Sequence, residues 1–148
     1  MKRLLILLLL VLATVAQTAA HAEDTRQLVN MPPMMRDHML ATMRGHLQSL
    51  NDIFQALSAG ENSQAAKIAE QNLGLSSMEA HGASHMAPYM PQAMQAYGTA
   101  MHRAASRFAR AIETADIEPT AKSQQAIYAA LGDITVNCAG CHQAFRLR

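Results

Sequence analysis

The chain ends in the stretch Cys138-Ala139-Gly140-Cys141-His142-Gln143-Ala144-Phe145-Arg146-Leu147-Arg148. Its first five residues have the Cys-x-x-Cys-His pattern, which is the attachment signature of c-type haem. The two thiols must add to the two vinyl groups on one edge of a porphyrin, and residues three apart on a helix project from one side. His142 follows Cys138 by four residues, so its imidazole is predicted to be the proximal axial ligand of the iron. We therefore expect one haem c, bound covalently through Cys138 and Cys141.

A redox motif, a zinc site and a structural disulfide are weaker interpretations of the two cysteines. A redox Cys-x-x-Cys motif usually occurs near a strand-helix-strand pattern, and no strand pattern precedes this one. A zinc site needs two further ligands at matching spacing, but the chain has only these two cysteines and its other histidines are scattered. A structural disulfide within one helical turn rarely reaches the required geometry. The haem interpretation is favoured.

Residues 1–22 have the features of a cleaved signal peptide. Lys2 and Arg3 are basic, the run from Leu4 to Ala13 is apolar, and Ala20-His21-Ala22 is a small-x-small cleavage site. An apolar run of that length is too short for a permanent membrane span. We expect residues 23–148 to be one domain in the periplasm, which agrees with haem attachment outside the cytoplasm.

The composition of the mature chain indicates an all-α protein. It lacks Trp and is rich in Ala, Leu and Met, which favours helices over strands. Its basic and acidic residues nearly balance, so no nucleic-acid partner is expected. No Ser-His-Asp set, paired carboxylates or phosphate-binding loop is apparent, and we do not expect an enzyme.

Helical periodicity predicts four helical segments in a bundle. They run from Pro32-Pro33 to about Ser58, from Asn62 or Ser63 to Gly74, from Pro91 to Thr114, and from Glu118-Pro119-Thr120 to the end of the chain. The inward positions predicted for the first segment are Leu40, Met43, Leu47, Leu50, Phe54 and Leu57. Those of the third are Met94, Tyr97, Met101, Phe108 and Ile112. Those of the fourth are Ile127, Leu131, Ile134, Cys138, Cys141 and Phe145, which would place the haem inside the bundle.

The stretch of residues 75–92 lacks clear periodicity, and such stretches are usually functional or irregularly helical. It contains His81, His85, Met86 and Met90, residue types that suit Cu(I). Chance proximity accounts for them more simply in a chain with this many methionines. His38, His46 and His102 are expected to be surface or interhelix histidines.

Two parts of the chain resemble the cytochrome c prime family and its low-spin relatives. Cys138-x-x-Cys-His142-x-x-Phe145-Arg146 is similar to the family's C-terminal motif, and Arg36-Asp37-His38-Met39-Leu40 is similar to its first-helix motif. The resemblance implies an antiparallel four-helix bundle with the haem bound inside near the C-terminal helix. It also implies a possible homodimer through the first two helices.

The resemblance further assigns residues around the haem. Arg36 would lie near the propionates, and Phe145 and Arg146 would form the proximal environment. Leu40 matches the family's distal position, which implies a five-coordinate iron open to a small gas. Met39 and Met43 flank Leu40, and a thioether ligand from either would give a His/Met pair suited to electron transfer. Because Met39 is about 100° around the helix from Leu40, we expect Leu40 over the iron. Met43 lies on the same stripe one turn further along, so it is the better methionine candidate if the haem sits lower in the bundle.

These observations predict a periplasmic c-type cytochrome that transfers electrons to redox partner proteins. The first alternative is a haem protein that binds a small gas such as nitric oxide. The second is a copper-handling helical protein in which the haem motif is coincidental.

Overall fold

The computed structural model describes residues 23–148, and the predicted signal peptide at residues 1–22 lies outside the described part. The described chain is almost entirely helical, as predicted. Its helices are α1 (Pro33–Ser58), α2 (Asn62–Ile68), α3 (Ala83–Met86), α4 (Gln92–Ile117) and α5 (Ala121–Ala144), and its two short strands are β1 (Gln27–Leu28) and β2 (Phe145–Arg146). Within residues 23–148, no helix combines the length and apolar character needed to cross a membrane.

Local sequence explains where the long helices begin and end. α1 starts at Pro33, whose missing N–H needs no partner in a first turn. It ends before Gly60, which adopts a positive φ of 74° and allows Glu61 N–H to donate to Ala56 O at 2.8 Å. α5 starts with a capping box, in which Ser123 N–H donates to Thr120 Oγ1 at 3.1 Å and Thr120 N–H donates to Ser123 Oγ at 3.0 Å.

The second predicted segment is confirmed in its extent. Asn62 is already the first residue of α2, and no side chain caps this helix. The helix continues as a π-helical turn over Ala69–Leu73 and ends at Gly74, as predicted. The stretch of residues 75–92 is irregularly helical, with 3₁₀ turns at Leu75–Ser77 and Ala87–Tyr89 on either side of α3.

The main core lies between α4, α5, α1 and α2. Its largest fully buried side chains are Phe108 and Ile112 of α4, Ile134 of α5, Ile53 of α1 and Leu73 of the π-helical turn. Burying each of these side chains contributes about 1.5–3 kcal/mol. Most of the inward positions predicted for the third and fourth segments are confirmed: Met94, Met101, Phe108, Ile112, Ile127, Leu131, Ile134 and Phe145 are buried, and Tyr97, Cys138 and Cys141 are partly buried.

The inward face predicted for α1 is confirmed only in part: Met43, Leu50 and Leu57 pack against the apolar clusters, but Leu47 and Phe54 do not. Leu47 is 70% exposed and Phe54 is 50% exposed, whereas Met39, His46 and Ile53 are buried. Two apolar stripes run side by side along this helix, and His46 interrupts the one that is buried. Periodicity alone therefore centred the inward face on the more continuous stripe, whereas packing centres it one residue earlier.

The fourth predicted segment was also wrong at its end. α5 stops at Ala144, and Phe145 takes an extended conformation with φ −129° and ψ 150°. β2 then pairs in parallel with β1, with Gln27 opposite Phe145 and Leu28 opposite Arg146. Val29 N–H donates to Arg146 O at 2.9 Å. The segment after the predicted cleavage site is thus attached to the last residues of the chain.

Candidate haem-attachment site

Cys138 and Cys141 lie half-buried on the inner side of α5, and neither forms a disulfide. Cys138 packs against the main core, and Cys141 packs against a second apolar cluster. Burial raises the pKa of both sulfhydryls, and the neighbouring Cys138 raises that of Cys141 further. Both are therefore thiols at neutral pH, held one helical turn apart on the same side of the helix.

The second apolar cluster is formed mainly by methionines, and we call it the methionine cluster. Its buried members are Val29, Met39, Met86, Met94 and Phe145, and its partly buried members are Met31, Met35, Met43, Met90, Tyr97, Cys141, Ala144 and Leu147. Methionine side chains are flexible and polarizable, so they adapt to an apolar group of irregular shape. The cluster brings α1, α4, the stretch of residues 75–92 and both ends of the described chain to Cys141.

The glycine inside the motif is in contact with α4. A β carbon at Gly140 would lie 2.6 Å from Cε1 and 3.0 Å from Cζ of Tyr97. Real β carbons essentially never approach another atom so closely, so a larger residue at this position would have to displace the Tyr97 ring. The sequence contained no signal for this pair, because the two residues lie on different helices.

His142 is exposed at the C-terminal end of α5, unlike the two half-buried cysteines. Its backbone carbonyl accepts a hydrogen bond from Arg26 Nη1 at 3.3 Å. Arg26 belongs to the segment that leads into β1. The N-terminal segment therefore contacts the backbone of the motif itself, which sequence reasoning did not predict.

An exposed charge network joins the two ends of the described chain beside the motif. Asp24 Oδ2 lies 2.7 Å from Arg26 Nη2 and 3.7 Å from Arg146 Nε. Arg146 Nε also donates to Arg26 O at 3.3 Å. The hydrogen bond from Arg26 is the main reason that the pKa of Asp24 is lowered to about 2, and the charge of Arg146 lowers it further. Arg146 thus lies next to the motif and pairs with the N-terminal segment.

The residues predicted for the distal side separate into two groups. Met39 is buried in the methionine cluster and Met43 packs against it, so the structure brings both together with Cys141. Leu40 is only partly buried and lies outside this cluster. Arg36 has an exposed side chain, and its Nε lies 3.6 Å from Oδ1 of Asp37.

Three other histidines, His46 of α1, His81 and His102, lie close together, and we call them the histidine cluster. The ring centroids of His46 and His81 are 4.8 Å apart, those of His81 and His102 are 5.4 Å apart, and those of His46 and His102 are 5.8 Å apart. His46 and His102 are buried, so neither is a surface histidine. Within residues 23–148, no group of three or more His, Cys, Asp or Glu side chains is arranged to hold a metal ion.

Comparison with known proteins found no match: no family model, curated protein or solved structure is similar enough to this chain to indicate a relative.

Proposed function

We propose that this protein is a periplasmic c-type cytochrome that transfers electrons through one haem c. The observation that carries the proposal is the pair of free, half-buried thiols, Cys138 and Cys141, one turn apart beside an apolar cluster. His142 completes the attachment motif. When bound, the haem supplies an iron that cycles between the ferrous and ferric states.

The residues present fit this cofactor. Two thioether links require two unpaired cysteines on the same side of a helix, and both cysteines meet that requirement. A porphyrin also requires apolar surroundings, and the methionine cluster provides them next to Cys141. Cys138 and Cys141 would hold the haem edge, and His142 would ligate the iron from the proximal side. For this the exposed imidazole would have to turn towards the haem.

We propose Met39, with Met43 next, as the residue on the distal side. Met39 is buried in the same cluster as Cys141, whereas Leu40 lies outside that cluster. A thioether opposite His142 would give the iron two protein ligands, which suits electron transfer. If Leu40 faced the iron instead, the sixth position would be free for a gas such as nitric oxide.

The proposal extends to the arrangement of the helices and to the oligomeric state. The short connections between α1 and α2 and between α4 and α5 support an antiparallel four-helix bundle of α1, α2, α4 and α5. The exposed Leu47 and Phe54 on α1 support a homodimer through the first two helices. Arg36 and Arg146 would provide positive charge near the propionates and the proximal face.

The test is a pyridine haemochrome assay on protein expressed in a periplasm that attaches haem. We expect one covalent haem per chain in the wild type and none in the Cys138→Ser/Cys141→Ser variant. Wild-type protein without covalent haem would reject the proposal. Ferric and ferrous absorption spectra would then distinguish the two haem functions, since a low-spin ferric iron supports electron transfer and a high-spin iron supports gas binding.

A further inference from the structure

The histidine cluster joins three elements of the fold. His46 comes from α1, His102 from α4, and His81 from the turn between the Leu75–Ser77 3₁₀ turn and α3. His46 Nε2 and His81 Nδ1 are 3.4 Å apart, a weak hydrogen bond that needs a proton on one nitrogen and a lone pair on the other. The contact therefore exists only while at least one of the two rings is neutral.

The third ring is anchored by the backbone. His102 Nδ1 lies 2.8 Å from Leu73 O, an acceptor, so this nitrogen carries the proton. Ser77 Oγ lies 3.4 Å from the same nitrogen. His38 Nε2 lies 3.2 Å from the carbonyl of His81 and adds a second contact between α1 and the turn.

The charges that help lower the pKa values of His46 and His81 all belong to imidazoles. The groups whose charges act on His46 are His81 of the turn, His102 of α4 and His142 of α5. Those acting on His81 are His102 of α4 and His38 of α1. No carboxylate is among them, so added protons would repel one another without a compensating negative charge.

His81 holds the middle of a segment that also forms part of the candidate site. Met86 and Met90 follow it and belong to the methionine cluster. The segment is fastened at its beginning, where Leu75 N–H donates to Ser106 Oγ at 2.9 Å. It is fastened at its end, where Gln95 Nε2 donates to Ala87 O at 3.0 Å and to Met90 O at 2.9 Å. Between these ends, His81 contacts both α1 and α4.

We infer that His46, His81 and His102 form a latch operated by protons. At neutral pH it holds residues 78–86 against α1 and α4 and keeps Met86 in the methionine cluster. In acid His46 and His81 become charged, the latch opens, and the segment moves away from the methionine cluster. This inference goes beyond the proposed electron transfer and stands without it, since none of the three histidines belongs to the attachment motif.

The pH at which the latch opens follows from the lowered pKa values of His46 and His81 in the closed state. Burial is the main reason that the pKa of His46 is lowered to about 4 and that the pKa of His81 is lowered. When the segment opens, both rings lose this burial, and their pKa values return towards the ordinary value of about 6.5. The closed state is therefore fully favoured above about pH 6.5, and opening becomes easier as the pH falls towards 4. For His46 alone, opening between about pH 7.5 and pH 5 should increase about 30-fold.

The test is hydrogen–deuterium exchange measured by mass spectrometry on the full mature protein as purified, near pH 7.5 and near pH 5. After correction for intrinsic exchange, opening of residues 78–86 should increase at least tenfold in acid, while α4 and α5 remain protected. The His46→Gln and His81→Gln variants should lose most of this pH dependence, because Gln is neutral at both values. His85→Gln is the matched control, since His85 is exposed on the same segment.

Three outcomes would overturn the latch. The first is equal protection of residues 78–86 at both pH values in the wild type. The second is loss of protection over the whole chain at once, which would indicate global unfolding. The third is a His85→Gln variant that loses the pH dependence as fully as the cluster variants. If one of the two variants His46→Gln and His81→Gln fails to fold, the other still tests the latch. A protein without covalent haem would reject the electron-transfer proposal but leave this measurement unaffected.

Discussion

The ring of Tyr97 packs so closely on the backbone of Gly140 that a β carbon at position 140 would lie 2.6 Å from Cε1 of the ring. This contact joins α4 to the interior of the Cys-x-x-Cys-His motif. A larger residue at position 140 would have to displace this ring, and the contact helps set the position of both cysteines relative to the methionine cluster.

We expect Gly140→Ala to destabilise the fold and to lower the yield of covalent haem, because the added methyl group must displace Tyr97. Gly132→Ala is the matched control on the same helix, since nothing lies within 4 Å of a β carbon there. That change should stabilise the protein by about 0.5–1 kcal/mol. Urea unfolding and a haemochrome assay measure both effects. If Tyr97→Ala did not reduce the cost of Gly140→Ala, the contact would not be its cause.

Met39→Leu should convert the ferric protein from low spin to high spin, because leucine cannot replace the proposed thioether ligand. Met34→Leu should leave the spectrum unchanged, since Met34 is 81% exposed. Electronic absorption of the ferric proteins compares them. A high-spin wild type would instead support the gas-binding alternative. A spectral change in Met43→Leu alone would transfer the role to Met43.

Phe108→Ala should lower the free energy of unfolding by about 3–5 kcal/mol, because Phe108 is fully buried in the main core. Phe54→Ala makes the same chemical change on α1, where the side chain is 50% exposed, and should cost much less. Urea denaturation of both variants gives the comparison. If both variants lost the same free energy of unfolding, the buried face of α1 would not be the one described.

Asp24→Asn should loosen the N-terminal segment from the end of α5, because the carboxylate contacts both Arg26 and Arg146. The pKa of Asp24 is lowered to about 2, so its stabilising effect is complete above its ordinary pKa of about 3.9 and is lost as the pH falls towards 2. Faster amide exchange at residues 27–29 is the expected result. Asp52→Asn should not produce it, since the Asp52 carboxylate accepts hydrogen bonds from Gln48 and Asn51 of its own helix.

Leu47→Glu and Phe54→Glu should shift a wild-type dimer towards monomer, because each places a charge on the exposed apolar stripe of α1. Ile117→Glu is the control, since Ile117 is equally apolar and 81% exposed but lies at the end of α4. Sedimentation analysis measures the association. If all three variants have the same oligomeric state as the wild type, α1 does not form the interface.

Much of this protein could be predicted from local sequence. The Cys-x-x-Cys-His motif is a short, contiguous pattern with a specific chemistry, so Cys138, Cys141 and His142 could be proposed as the haem site without tertiary information. The limits of α1 followed from Pro33 and Gly60, which act through backbone geometry. The buried stripe of α5 followed from periodicity, because its apolar residues form a single row from Ile127 to Cys141.

Tertiary structure decided everything that depended on residues far apart in the chain. α1 carries two apolar rows, and only packing against α2 and α4 selected Met39 and Ile53 over Leu40 and Phe54. The strand pair, the Tyr97–Gly140 contact and the histidine cluster each join distant segments by backbone geometry or shape, which leave no periodic signal. The sequence alone thus determined the Cys-x-x-Cys-His pattern on which the haem proposal rests, whereas the three-dimensional packing determined which side chains surround it.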